Sequence, residues 1–456
     1  MHKTALSLLL AGAGSVSAAL EVDFGSADSI RAAARDVASD LMTYYDGNEP
    51  GHIPGIFQPP PEGEYWWYTG AMLWSTMIDY WHYTGDDTYN AVALEGLVHQ
   101  NGPGLENAFL PPNWTVAAGN DDHGLWGMSA MLAAELNFPS PPQGEPSWIE
   151  LAEAVFGILV ARWEEDDVCD GGLRWQIMST NVGYELKNTL SNAVLINLGA
   201  RLARYTGNQT HAVWAARAWD WLAATGLIDG SFNVFDGALT ETNCTEPLRY
   251  QWSINAGILL QAAAYMYNQT TGDDQAIWES ALTGLTNRTL SVFFPDEILL
   301  EVACERAMIC NSDIRFFKGV ALRSLAGVVQ LAPFLRDTMS RALRGSAEAA
   351  AAACNRGESG RQCGFGWAER EGNWTVGAPE QMNALSALVS MLVDEVAGEG
   401  FATAETADQT GGNSGSSEGG SGGDGNENQS GDGESAGARI PVALGWAVVG
   451  LVAALL

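Results

Sequence analysis

Two adjacent carboxylates, Asp121 and Asp122, stand in the string Asn120-Asp121-Asp122-His123-Gly124, where a Gly-Asn turn enters an apolar helical run. One aspartate at a helix start has a structural explanation, because its side chain can cap free backbone N–H groups, contributing about 0.5–2 kcal/mol. The second has no such explanation. The positive end of the helix favours ionisation of both, while each charge raises the pKa of the other. Glycoside hydrolysis needs that split: one ionised carboxylate as nucleophile and one protonated carboxyl as general acid. Neighbouring residues suit the ~5 Å carboxyl separation of a retaining mechanism better than the ~6.5–9.5 Å of an inverting pair. The similar pairs Asp86-Asp87 and Asp273-Asp274 follow a recurring turn where capping suffices.

Seventeen tryptophans surround this pair in the sequence, and Trp66, Trp67, Trp126, Trp175, Trp252 and Trp367 fall in loops or at helix starts beside polar residues. Such rings are flat platforms for sugar C–H faces, and nearby Asn and Gln bind hydroxyls. Trp81, Trp148, Trp163, Trp214, Trp219, Trp221 and Trp278 have amphipathic helical spacing and read as core. Adjacent helical residues point about 100° apart, so only one of Trp66 and Trp67 can face the core squarely. The histidines form no HExxH or paired spacing and the cysteines no CxxC, so neither a metal nor a cofactor is expected. A net charge of −33 sets aside nucleic acid and anionic membrane surfaces as electrostatic partners.

The elements that must position these residues show an internal repeat. Tyr83-Thr84-Gly85-Asp86 is echoed by Tyr205-Thr206-Gly207-Asn208 and by the longer string from Tyr267 to Asp273. Before each break lies an apolar, small-residue-rich helix, predicted over 66–83, 122–136, 186–205, 250–267, 315–331 and 380–393. Amphipathic helices are predicted over 27–45, 87–98, 147–164, 210–224, 274–292 and 335–354. Six inner and six outer helices predict an all-α (α/α)6 toroid; an open solenoid of hairpins would show the same repeat. Short β-like runs such as 172–177 fit loops on the open face. In a toroid the starts of the inner helices converge on that face, which places Trp66 or Trp67 as a wall of a groove near Asp122. Asn188, Gln251 and Trp252 then lie across the opening.

The ends carry targeting signals. Residues 1–19 have the layout of a secretory signal peptide. Residues 439–456 form an apolar tail preceded by small residues, the order of a glycosylphosphatidylinositol (GPI) attachment signal that is removed on maturation. The folded domain is assigned to 20–398, and 399–438, rich in Gly, Ser, Asn and acids, to a disordered stalk bearing the attachment region. The expected location is the outer face of the plasma membrane or the cell wall. Six cysteines fit secretion. Cys304 with Cys310 and Cys354 with Cys363 are close in sequence, leaving Cys169 and Cys244 for a long-range bridge, although six cysteines allow many other pairings. Sequons at Asn113, Asn208, Asn243, Asn268, Asn287, Asn373 and Asn428 agree with that compartment.

Tyr65-Trp66-Trp67 with Gly70-Ala71-Met72 and Asp79-Tyr80-Trp81 resembles fungal glycoside hydrolase family 76, the mannan endo-1,6-α-mannosidase-like proteins of the cell wall. So do Gly119-Asn120-Asp121-Asp122 with Trp126-Gly127-Met128, Gly171 to Gln176, Lys187-Asn188-Thr189 with Ser191-Asn192, and Tyr250-Gln251-Trp252 with Asn255-Ala256-Gly257. Shorter matches follow in order: Glu301 to Glu305, Ala332-Pro333-Phe334, and Cys363-Gly364 before Trp367. The resemblance spans 27–393. It implies a toroid with a central groove and retaining chemistry, with Asp121 as nucleophile and Asp122 as acid/base. It also implies sugar contacts from Trp66, Trp67, Asn120, His123, Trp126, Asn188, Gln251 and Trp252. His123 departs from the Gln expected after the pair, and Tyr68 and Thr69 vary the motif after the tryptophans. The implied donor is α-1,6-mannan or the mannose core of a GPI glycan, and cell-wall glucan is the acceptor if the enzyme transfers rather than hydrolyses. A mannan-binding protein without chemistry would keep the groove, but the intact carboxylate pair argues against it.

Overall fold

The Tyr-Thr-Gly-Asp/Asn repeat is the device that turns each inner helix into the following segment. Gly85 and Gly207 both adopt φ of +73° and end the helices α2 (Tyr68–Thr84) and α6 (Thr189–Thr206), their N–H groups bonding to the carbonyls of Trp81 and Ala203. This left-handed conformation costs glycine least. The preceding threonine hydroxyls bond back to Tyr80 and Leu202 carbonyls. The residues that follow, Asp86 and Asn208, accept N–H bonds from Thr88 and Thr210, each at 3.1 Å.

The computed structural model describes residues 19–410 apart from 61–62, 103–104, 358, 369–373 and 397–400. Its other main helices are α1 (Ala27–Met42), α3 (Asn90–Gln100), α4 (Asn120–Glu135), α5 (Trp148–Glu164), α7 (Gln209–Ala224), α8 (Ser253–Gln269), α9 (Gly272–Phe293), α10 (Phe317–Leu331), α11 (Arg336–Ala353) and α12 (Ala378–Val389). Helices α2, α4, α6, α8, α10 and α12 pack in sequence, and α12 returns to α2, closing the ring. That closure makes the fold an (α/α)6 toroid rather than a solenoid. Helices α3, α5, α7, α9 and α11 cover the outside, and α1 completes the layer by packing on α12.

The two layers follow from side-chain distribution. In α8 every residue from Ser253 to Met266 is buried, as suits a helix enclosed on all sides. In α1 only one stripe is apolar and buried, with Ile30, Ala33, Ala34, Val37, Ala38 and Leu41 at helical spacing. The starts of the inner helices open on one end of the ring. There, Leu186–Asn188, Gly237–Leu239 and Pro247–Leu248 form a small antiparallel sheet. The segment 172–177 contributes only the isolated pairing of Gln176 with Gly119. Disulfides join Cys169 to Cys244, Cys304 to Cys310 and Cys354 to Cys363.

The opposite end is closed by part of the segment expected to be stalk. Ala402 N–H donates to the carbonyl of Glu135 at 2.8 Å, and Arg204 donates to the carbonyl of Phe401 at 3.0 Å. The Phe401 ring, 8% exposed, packs 5.6 Å from that of Tyr265, and a short helix, α13 (Ala404–Thr410), follows. Polar composition averaged over the window hides this Phe-Ala pair, so the folded region reaches beyond 398. The assigned signal peptide, apart from Ala19, and the apolar tail lie outside the described residues, as do Asn373 and Asn428. Asn208, Asn243, Asn268 and Asn287 are exposed.

Candidate active site

Gly119 is the N-cap of α4, so Asn120, Asp121 and Asp122 occupy its first turn and neither aspartate is the cap itself. The third position gives Asp122 a backward reach: its Oδ2 accepts the Gly119 N–H at 2.7 Å. Asp121 Oδ1 accepts the Asp122 N–H at 2.9 Å. A Cβ at position 119 would stand 2.3 Å from Asp121 Oδ1, so glycine at the cap leaves that carboxyl its place. The second Asp121 oxygen accepts Asn188 Nδ2 at 2.8 Å. Asn188 caps α6, its Oδ1 accepting the Ser191 N–H at 3.2 Å, and this leaves the NH2 end to face the carboxylate.

Both carboxyls are pushed above the usual carboxylate range. For Asp121 the chief cause is burial, followed by the charge of Asp122, with the Asn188 amide opposing. Asp122 is pushed up to about 6 by burial, against the Gly119 N–H, with the charge of Asp313 adding to the rise. Donors stabilise the ionised form. Asp121 has a donor on each oxygen, whereas Asp122 has one on Oδ2 alone.

The pair lies in a cleft of about 880 Å³, within the range of small-molecule sites. Aromatic rings of Trp66, Trp114, Trp175 and Trp252 line it, together with Tyr68, Asn188, Asp236 and Asp313. Trp66 is 46% exposed, whereas Trp67 is 4% exposed, only bordering the cleft while its indole N–H bonds Gln100 at 2.9 Å. Trp252 stacks on Tyr250, and its indole N–H donates to Asp236 Oδ1 at 2.9 Å.

Several residues expected at the sugar sit behind the cleft instead. Trp126 is wholly buried and stacks between Trp67 and Phe109, at 5.5 and 5.4 Å. His123 is buried too; its Nε2 meets the Ala108 carbonyl at 2.7 Å and its Nδ1 faces Arg162 at 3.2 Å. Those partners require the neutral Nε2–H tautomer, and burial followed by the Arg162 charge pulls its pKa down to about 3. Asn120 accepts from Arg162 at 2.8 Å and donates to the Arg174 carbonyl at 2.9 Å. Asn120 and His123 therefore brace the start of α4, because successive first-turn residues point in different directions. Gln251 is half-buried beside Trp252 and does not line the cleft. Tyr68, Asp236 and Asp313 do line it and were not singled out as contacts; Tyr68 stood out only as a departure from the family motif.

The model for the family described as "Glycosyl hydrolase family 76" matches residues 29–405. The chain belongs to glycosyl hydrolase family 76. This family 76 glycoside hydrolase is 41% identical over 374 residues to mannan endo-1,6-alpha-mannosidase DCW1 of Saccharomyces cerevisiae, covering 82% of this chain and 81% of that one. Among solved structures, Dfg5 of Chaetomium thermophilum in complex with glucosamine is 44% identical with a TM-score of 0.80, over 85% of this chain and 95% of that one. An α-1,6-mannanase of Salegentibacter sp. HEL1_6, as an inactive variant with two consecutive aspartates replaced by asparagine and with α-1,6-mannotriose bound, shares the fold. It is 19% identical with a TM-score of 0.62, covering 81% of this chain and 99% of that one.

Proposed function

We propose that this family 76 enzyme cleaves α-1,6-linked mannose with retention of configuration, Asp121 acting as nucleophile and Asp122 as acid/base. The observation that carries this reading is the unequal hydrogen bonding of two adjacent carboxyls at the floor of an aromatic-lined cleft. Asp121 attacks the anomeric carbon while Asp122 gives its proton to the departing glycosidic oxygen, forming a glycosyl ester on Asp121. Asp122, now ionised, takes a proton from the incoming acceptor as that oxygen displaces Asp121. The names of the DCW1 and Dfg5 relatives and the oligosaccharide bound by the bacterial mannanase support α-1,6-mannose as the donor linkage.

The acceptor is proposed to be a sugar hydroxyl of cell-wall glucan, and the donor the mannose core of a GPI glycan. The glucosamine bound by the Dfg5 relative fits a donor glycan in which mannose neighbours an amino sugar. Hydrolysis is the same sequence with water as the acceptor. Asp121→Asn and Asp122→Asn should each abolish turnover of an α-1,6-mannoside without changing the circular dichroism spectrum; near-normal activity in either would remove the mechanism. NMR should show the α-anomer as first product, and the β-anomer first would exclude double displacement. Mass measurement of products formed with an added glucan decides between transfer and hydrolysis.

A further inference from the structure

We propose that Asp313, held by Tyr68, is a positioning residue whose negative charge keeps the proton on Asp122. Asp313 stands in the loop before α10 and Tyr68 opens α2, so two separate elements bring them to the cleft that holds Asp122. The Tyr68 hydroxyl donates to Asp313 Oδ1 at 2.8 Å, a bond that favours the ionised carboxylate and fixes where its charge sits.

The surroundings make that charge effective. Asp122 shares α4 with Asp121, whose carboxylate carries the negative charge of the catalytic pair. Tyr68 faces the cleft from α2, and Asp236 from the loop beyond the Gly237 strand edge. Arg315, the cation whose field reaches Asp313, gives its Nη1 to Glu380 of α12 at 3.0 Å. The charge of Asp313 thus remains to act on Asp122, and its effect there is to hold the proton more tightly. A general acid that must be protonated before the first step gains from such a neighbour, provided the neighbour does not itself take the proton. Burial raises the pKa of Asp313, and the Tyr68 hydroxyl, followed by the Arg315 charge, opposes that uptake.

The inference rests on Asp122 being the acid, and the test separates the two ideas. Carboxyl-carbon NMR of the protein labelled with 13C-aspartate follows the titration of Asp122 with no substrate present. Asp313→Asn should move that titration down by about half a pH unit or more, the direction expected on removing a like charge. Asp313→Glu, which keeps the charge, should restore most of the shift. In turnover of an α-1,6-mannoside, the alkaline limb of kcat/KM should fall by the same amount in Asp313→Asn. An unmoved Asp122 titration overturns the proposal, as does a raised KM with an unmoved alkaline limb, which would make Asp313 a sugar contact. Should Asp313→Asn fail to fold, Asp313→Ser provides the same readings. If the unaltered protein turns over no α-1,6-mannoside, the proposed function falls while the substrate-free titration still decides on Asp313.

Discussion

Asn188 divides its amide between two tasks, with the oxygen closing the first turn of α6 and the nitrogen bonding Asp121. A capping requirement thereby orients a group of the site. Trp66 and Trp67, both ahead of α2, divide labour in a comparable way, the first exposed in the cleft and the second buried. Trp66→Ala should raise KM by a factor of about 5–150, the scale of about 1–3 kcal/mol for a lost stacking ring, with the melting temperature little changed. Trp67→Ala should instead lower stability by about 3–5 kcal/mol, because it opens the Trp67–Trp126–Phe109 stack. Denaturant titration and initial rates separate the two. A stable Trp67→Ala variant with a raised KM would reverse the assignment. Two carboxylates at one helix start exceed what capping needs, which made the aspartate pair a candidate, and the resemblance to family 76 chose it over Asp86-Asp87 and Asp273-Asp274. The Tyr68–Asp313 contact was not legible, since its members are 245 residues apart and each alone resembles an ordinary surface polar residue.

At the scale of helices, the site depends on loops that finish the inner-helix starts. Helix α8 begins at Ser253 behind Trp252, which offers no side-chain cap. Glu301 supplies one from a distant loop, accepting from both the amide and the hydroxyl of Ser253. Behind it, buried Lys318 donates to Glu305 at 2.8 Å. Burial pushes Glu301 up to about 7, with the Ser253 bonds opposing. The folded protein therefore keeps a proton on Glu301 at pH values where the unfolded chain, near 4.3 on the usual scale for Glu, has released it. The associated stability is fully present below about 4.3 and is lost as pH rises towards about 7. Glu301→Gln cannot titrate, so its melting temperature should fall less steeply than that of the unaltered protein between about pH 4.5 and 7. Buried neutral His123 contributes in the opposite sense, losing stability as pH falls below about 6.5. It is common to both proteins, so the difference between their pH profiles isolates Glu301; identical slopes would contradict its titration. Helical periodicity made the inner and outer helices readable, whereas a cap lent across 48 residues leaves no local pattern.

For the molecule as a whole, closure rests on a contact between the two ends of the folded chain, α1 against α12 and α12 against α2. The repeat made hairpins legible from one turn to the next, but nothing local distinguishes a ring from a spiral. The resemblance to family 76 supplied that step. Phe401 was lost in a polar stretch because a single aromatic does not alter the composition of its window. Phe401→Ala should cost about 3–5 kcal/mol of stability and leave KM unchanged, since α4, with 16 residues, puts roughly 24 Å between its two ends. A changed KM at full stability would show that the closed end communicates with the sugar. The polypeptide's exit and the sugar's entrance thus occupy opposite poles of the ring. Immobilising the protein through residues after Thr410 leaves its mouth accessible to a long polymer, whereas a bulky fusion inserted before α2, beside Trp66, stands in the doorway.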